Sequence, residues 1–282
     1  MKRLVNILNE IITEGKRYHF DPEVYLRLHA VVDELWNNKN KVYKKKTLID
    51  KIPFKTADGV DGLVRIIINP RLKYIGEMGT SPKKSTDPAD IYIDLNPKFF
   101  ESKKNLYLTL YHEMIHASDP TQSHKWSPIY DLSYDETSDE KYWGHPVEFF
   151  AISNEFLEGL FLEFESRMKS NPNPKNILNL KKSFQNILNY FARGEKLSKL
   201  SLDILSRIND EHVDDERISK LVADIKSQNP EFFYSKQIKK EEDLPYYLYY
   251  VQMIKKFNPE IWPKFLTMLF KMKDEINSIL LK

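Results

Sequence analysis

Apolar residues along the chain fall into two regimes, strand-like between about residues 62 and 95 and helical almost everywhere else. Ile7, Ile11 and Ile12 predict a short first helix. Asp21-Pro22 is a helix start with proline at the first helical position, and Val24, Leu26, Leu28, Val31, Val32 and Leu35 follow it. The stretch from Gly62 to Pro70 is rich in β-branched residues and ends at a proline, which predicts a strand. Gly76, Gly79 and Pro82 with their polar neighbours predict a loop. Ile91 to Leu95 alternates apolar and polar, as a half-buried strand does, and Pro97 ends it. Around Asn105 the period becomes helical.

A polar loop rich in Asp, Ser and Pro then runs from Ser118 to about Gly144. Pro146 opens a long helix reaching about Met168, apolar nearly all round. Asn171-Pro-Asn-Pro174 is the clearest boundary. Beyond it the pattern predicts helices over 177–191, 200–208, 218–225, 246–257 and 261–281. The fold class expected is α+β, with a first domain over residues 1–170 and an all-helical region over 171–282. The first 35 residues are expected to wrap on the first domain.

Composition narrows the chemistry. The chain has no cysteine, which excludes disulfides, Cys-ligated zinc, iron–sulfur clusters and thiol catalysis. The 43 Lys and Arg nearly balance the 41 Asp and Glu, so no global field attracts polyanions, and nucleic acid is not an expected partner. Lys39, Lys41, Lys44, Lys45 and Lys46 form a basic run that reads as a solvated connector rather than a phosphate site. The N-terminus starts like a signal peptide, but Asn6, Asn9 and Glu10 interrupt its apolar run. With no uninterrupted stretch of about 18 apolar residues, no membrane span and a cytoplasmic location are expected. Oligomeric state is not legible.

His112-Glu-Met-Ile-His116 matches the H-E-x-x-H pattern of zinc sites. Residues four apart lie one turn above each other on a helix, so both imidazoles reach one metal ion. The Glu beside the first His then serves a zinc-bound water as general base. For three fixed positions a chance match somewhere in the chain is roughly a one-in-a-hundred event. The helical wheel adds to this. Leu106, Tyr107, Leu108, Leu110, Tyr111, Met114, Ile115 and Ala117 cover one broad side. Asn105, Thr109, His112 and His116 share the remaining stripe, with Glu113 at its edge.

On these residues the chain resembles the zincin metallopeptidases, over roughly Ile66 to Met168. The resemblance implies an H-E-x-x-H helix beneath a small sheet whose edge strand holds extended substrate, and Ile91 to Leu95 stands where that strand is expected. The metzincin subgroup is excluded, because Asp119 stands at its glycine position and Gln122 at its last His. Peptide deformylases are excluded too, since their third ligand is Cys.

A catalytic zinc takes three protein ligands and keeps one position open. Glu148 is the first choice for the third, 32 positions beyond His116 at the start of the next helix, a placement that resembles gluzincins. In that comparison a small residue such as Ala151 lets the helices approach. A carboxylate in a first helical turn also favours the dipole end, which alone accounts for Glu148. Glu136 and His145 are the competitors for the ligand. Tyr142 and His145 are candidates to steady a developing oxyanion, with a packed tyrosine as the plain alternative for Tyr142. Asp119 either orients a ligand histidine or ends the helix. Glu155 is read as an outer group or a surface residue, and His124 as solvated. Tyr246, Tyr247, Tyr249 and Tyr250 read as helix core rather than a base-stacking surface.

The expected function is a Zn2+-dependent peptidase. His112, His116 and Glu148 hold the metal, Glu113 acts as the base, and a protein or peptide is the substrate. The alternative is a non-catalytic binding or structural protein that retains a zincin scaffold.

Overall fold

The computed structural model describes residues 20–55, 61–73, 75–81, 90–118, 146–208 and 262–281, with Lys255 and Pro259. These fall into two compact units, Met1–Ala151 and Ile152–Lys282. The class is α+β. The expected helix around Ile7, and those over 218–225 and 246–257, lie outside the described residues.

The first unit is built on four strands: β1 (Thr47–Lys55), β2 (Asp61–Ile68), β3 (Gly76–Ser81) and β4 (Asp90–Leu95). Their order is β1-β2-β4-β3. β1 and β2 form an antiparallel pair, β2 and β4 run parallel, and β3 and β4 are antiparallel, so the sheet is mixed. Ile52, Phe54, Val64, Ile66, Ile68, Ile91, Ile93 and Leu95 are all buried, and the two-residue period puts them on one face. Among the described residues, α1 (Pro22–Asn37) meets β1, and α2 (Lys103–Ser118) meets β3 and β4.

Two expectations are corrected here. Residues 76–81 form strand β3 rather than a loop, and Ile91–Leu95 is an interior strand paired on both sides rather than the edge. The edge beside α2 is β3. Its glycines are there because both of its faces are crowded. A Cβ at Gly76 would stand 2.9 Å from Thr109 Cγ2 and 3.0 Å from Leu95 Cδ2. On the other face, a Cβ at Gly79 would stand 2.5 Å from Cζ and Oη of Tyr92.

α1 forms as its pattern dictates, with Pro22 in its first turn and Val24, Leu28, Val31, Val32 and Leu35 buried. It grips α2 through aromatic rings. Tyr25 and Tyr111 lie 6.0 Å apart between centroids, with their hydroxyls 3.5 Å apart, and Phe20 meets both edge-on. His29 stacks on Tyr107 at 4.3 Å and 6°. Lys103 pairs with Asp33.

In the second unit, α3 (Pro146–Ser170) contributes Phe156 and Phe164, both fully buried. α4 (Pro174–Arg193), α5 (Lys199–Ser206) and α6 (Trp262–Leu281) follow. Asn173 caps α4 by accepting the Asn176 N–H at 2.8 Å. Phe156, Phe191, Trp262 and Phe265 form one ring cluster, and Phe164 meets Phe184 edge-on at 5.5 Å. Arg167 ties helices together, donating to Glu163 at 2.7 Å and to Asp203 of α5 at 2.8 Å. Among the described residues no helix is long and apolar enough to cross a membrane.

Candidate functional site

α2 begins at a local signal. Ser102 Oγ accepts the Asn105 N–H at 3.0 Å, and the Ser102 carbonyl accepts the Leu106 N–H at 3.0 Å. From there Leu106, Leu108, Leu110, Met114 and Ala117 go into the core at 0% exposure, so the helix is anchored along its length. The polar stripe is not a solvated face. Asn105 and His116 are buried, while Thr109, His112 and Glu113 are half-buried.

The two histidines converge. Nε2 of His116 lies 2.9 Å from Nε2 of His112, and the rings meet at 76° with centroids 4.7 Å apart. At that distance one ring nitrogen donates its hydrogen to the other. Both side chains thus aim the same atom at one point, which their i,i+4 spacing makes reachable.

A tetrahedral zinc with Zn–N bonds of about 2.0–2.1 Å holds two nitrogens about 3.4 Å apart. The observed 2.9 Å is shorter by about 0.5 Å, a gap that small rotations about the side-chain bonds open. Imidazole nitrogen is a preferred zinc donor, and the pair fits two of a zinc's ligands.

The edge strand meets this helical stripe at Thr109, on which Gly76 of β3 packs, and Glu113 stands one turn further along the helix at the edge of the stripe. Glu148 falls in the first turn of α3, and its side chain is not among those described. Tyr142, His145, Glu136, Asp119 and His124 lie outside the described residues, as do Tyr246 to Tyr250. Glu155 is half-buried on α3, in the second unit. Among the described residues no group of three or more His, Asp or Glu is placed to share a metal.

One polar cluster has no counterpart in the sequence reading. Asp94 of β4 is 3% exposed, and its Oδ2 accepts from Lys46 Nζ at 2.6 Å and from Asn69 Nδ2 at 2.7 Å. Its Oδ1 has no partner among the described residues. The only sequence signal was the polar place of Asp94 in the alternation of β4. Lys46 also lies 5.6 Å from the Tyr92 ring centre. The last lysine of the basic run is therefore fixed to the sheet, whereas Lys39 folds over Trp36 at 3.7 Å.

No family model, curated protein or solved structure matches the chain.

Proposed function

We propose that the chain is a zinc-dependent peptidase. The observation that carries this reading is the convergence of the His112 and His116 Nε2 atoms, 2.9 Å apart, with Glu113 beside them on a core-anchored helix. His112 and His116 would hold the ion, and Glu148 is the proposed third ligand. Zinc, when bound, supplies Lewis acidity toward a carbonyl oxygen and toward water. Glu113 takes a proton from the attacking water and passes it to the amine nitrogen as the C–N bond breaks. His145 and Tyr142 are the proposed donors to the oxyanion. A mixed sheet with an antiparallel edge strand against this helix supports the zincin likeness. Strand β3, not β4, is the proposed rail for an extended substrate, because only an edge has unpaired backbone groups to offer.

The test is Glu113→Gln. The variant is expected to keep its zinc, read by elemental analysis, and to lose cleavage of dye-labelled casein by about 10²–10⁴-fold. If the zinc-loaded variant cleaves as fast as the parent, Glu113 is not the base. A parent that binds zinc but cleaves no peptide favours the non-catalytic scaffold instead.

A further inference from the structure

The connector between α1 and β1 gathers charge of one sign. From Trp36 to Ile49 there are five lysines and no acid. Both ends of the stretch are held. The Glu34 carbonyl accepts the Asn38 N–H at 3.1 Å and Asn38 Nδ2 at 2.8 Å, and Lys46 is bound to Asp94 at the other end. Between them the Lys41 N–H donates to the Asn38 carbonyl at 2.8 Å, and Thr47 Oγ1 donates to the Lys45 carbonyl at 3.0 Å. Lys39, Lys41, Lys44 and Lys45 are exposed, and among the described residues none of the four is ion-paired. Of the flanking acids, Asp33 pairs with Lys103, Asp50 lies beside Arg27, and Glu34 acts on Tyr43.

Val42 stands in the middle of these lysines and is 82% exposed, more than any other large apolar residue described. Two rings flank it in the chain. Trp36 and Tyr43 are half-buried, with Lys39 Nζ 3.7 Å over the first and Lys41 Nζ 5.4 Å over the second. Burial, and then the Glu34 carboxylate, hold the Tyr43 phenol above its usual range, so it stays neutral. A single exposed valine is ordinary on a protein surface. One set among four unpaired cations and two amphipathic rings, on a connector tied down at both ends, has the makings of a contact.

We propose that this connector binds an anionic lipid surface, with Lys39, Lys41, Lys44 and Lys45 at the headgroups and Val42 entering the interface. Each lysine near such a surface is worth about five-fold in partitioning, so four give on the order of 10²–10³-fold over a neutral surface. Burying the valine adds about ten-fold. Charge and apolar tip act together, since one signal alone gives only marginal attachment. Trp and Tyr settle at headgroup depth, with an apolar body and a polar tip. Nucleic acid is the poorer fit, because a base would have to stack on rings that carry their own lysines, and Val42 would have no place. The inference stands apart from the peptidase reading.

The experiment is flotation of the full chain with lipid vesicles at about 0.1 M salt. Phosphatidylcholine vesicles with about 30% phosphatidylserine are expected to carry the protein, and phosphatidylcholine alone is not. Raising the salt to about 0.5 M is expected to release it. Lys44→Ala with Lys45→Ala is expected to weaken binding by about ten-fold or more, and Val42→Ser by about three-fold or more. Lys181→Ala with Lys182→Ala, on α4, changes the net charge equally and is expected to bind like the parent. Circular dichroism checks each fold, and Lys44→Ala alone, at about five-fold, serves if the double variant does not fold. No flotation with the anionic vesicles overturns the inference. So do equal losses in the two double variants, which would make net charge the cause. Binding of labelled oligothymidylate without flotation overturns it in favour of nucleic acid.

Discussion

Gly76→Ala tests how closely the edge strand is seated on the histidine helix. The added Cβ would meet Thr109 Cγ2 at 2.9 Å and Leu95 Cδ2 at 3.0 Å, against a comfortable carbon–carbon separation of about 3.5–4.0 Å. Those two methyl groups, or the strand and helix that carry them, therefore have to give way by roughly 0.5–1 Å at that point. Overpacking of this kind costs about 1–3 kcal/mol. Replacing glycine by alanine also restricts the unfolded chain, which returns about 0.4–1 kcal/mol. At the middle of both ranges the net destabilisation is about 1.3 kcal/mol, readable as a lower urea midpoint at unchanged m-value. Thr109→Ser removes the nearer obstructing carbon while keeping the hydroxyl. In the double variant part of the loss is expected to return, with a coupling of about 0.5 kcal/mol or more. A Gly76→Ala protein as stable as the parent, or more stable, would refute the close seating of β3 on α2.

Two further changes probe polar contacts elsewhere in the fold. Lys46→Met is expected to destabilise the chain by about 1 kcal/mol, because Asp94 stays buried and among the described residues retains only Asn69, while the lysine end of the pair is 58% exposed. Lys44→Met is the neutral control, and equal urea midpoints for the two variants would contradict this. In the second unit, burial pushes the Asp203 carboxyl up, but the hydrogen bonds and charges of Arg167 and Arg207 outweigh it and hold the group below its usual 3.8. A lowered folded pKa gives stability that is present above the unfolded value and lost as pH falls through the folded one. Asp203→Asn is therefore expected to be less stable than the parent near neutrality, with the gap closing below about pH 4. The effect is small because Asp203 is 43% exposed, and a gap as wide at about pH 3 as at about pH 7 would argue against it.

Where an element satisfies its own local physics, the sequence announced it. α1, α2, α3, α4, α5 and α6 each combine a helical apolar period with a start signal or a proline near the first turn, and β2 and β4 carry the strand period between breakers. β3 has none of this. A strand is legible when its side chains fill space, but Gly76 and Gly79 lie where space is already taken, by Thr109 and Leu95 on one face and by Tyr92 on the other. Their emptiness imitates a loop. The same reasoning explains the misplaced edge: with β3 read as a loop, β4 had no partner on that side.

Neighbours in sequence made the core of the site legible, and distance in sequence hid the rest. His112, Glu113 and His116 lie within five residues, and the helix geometry alone brings both Nε2 atoms to one point. Any third ligand has to come from another element, and the length of chain between elements is not set by the metal. The Lys46–Asn69–Asp94 cluster shows the same limit from the other side. Those residues are separated in sequence by 23 and 25 positions (69 minus 46, 94 minus 69), and only the fold brings them together. Local chemistry can be read from spacing, whereas chemistry assembled across a sheet becomes visible only once the register is known.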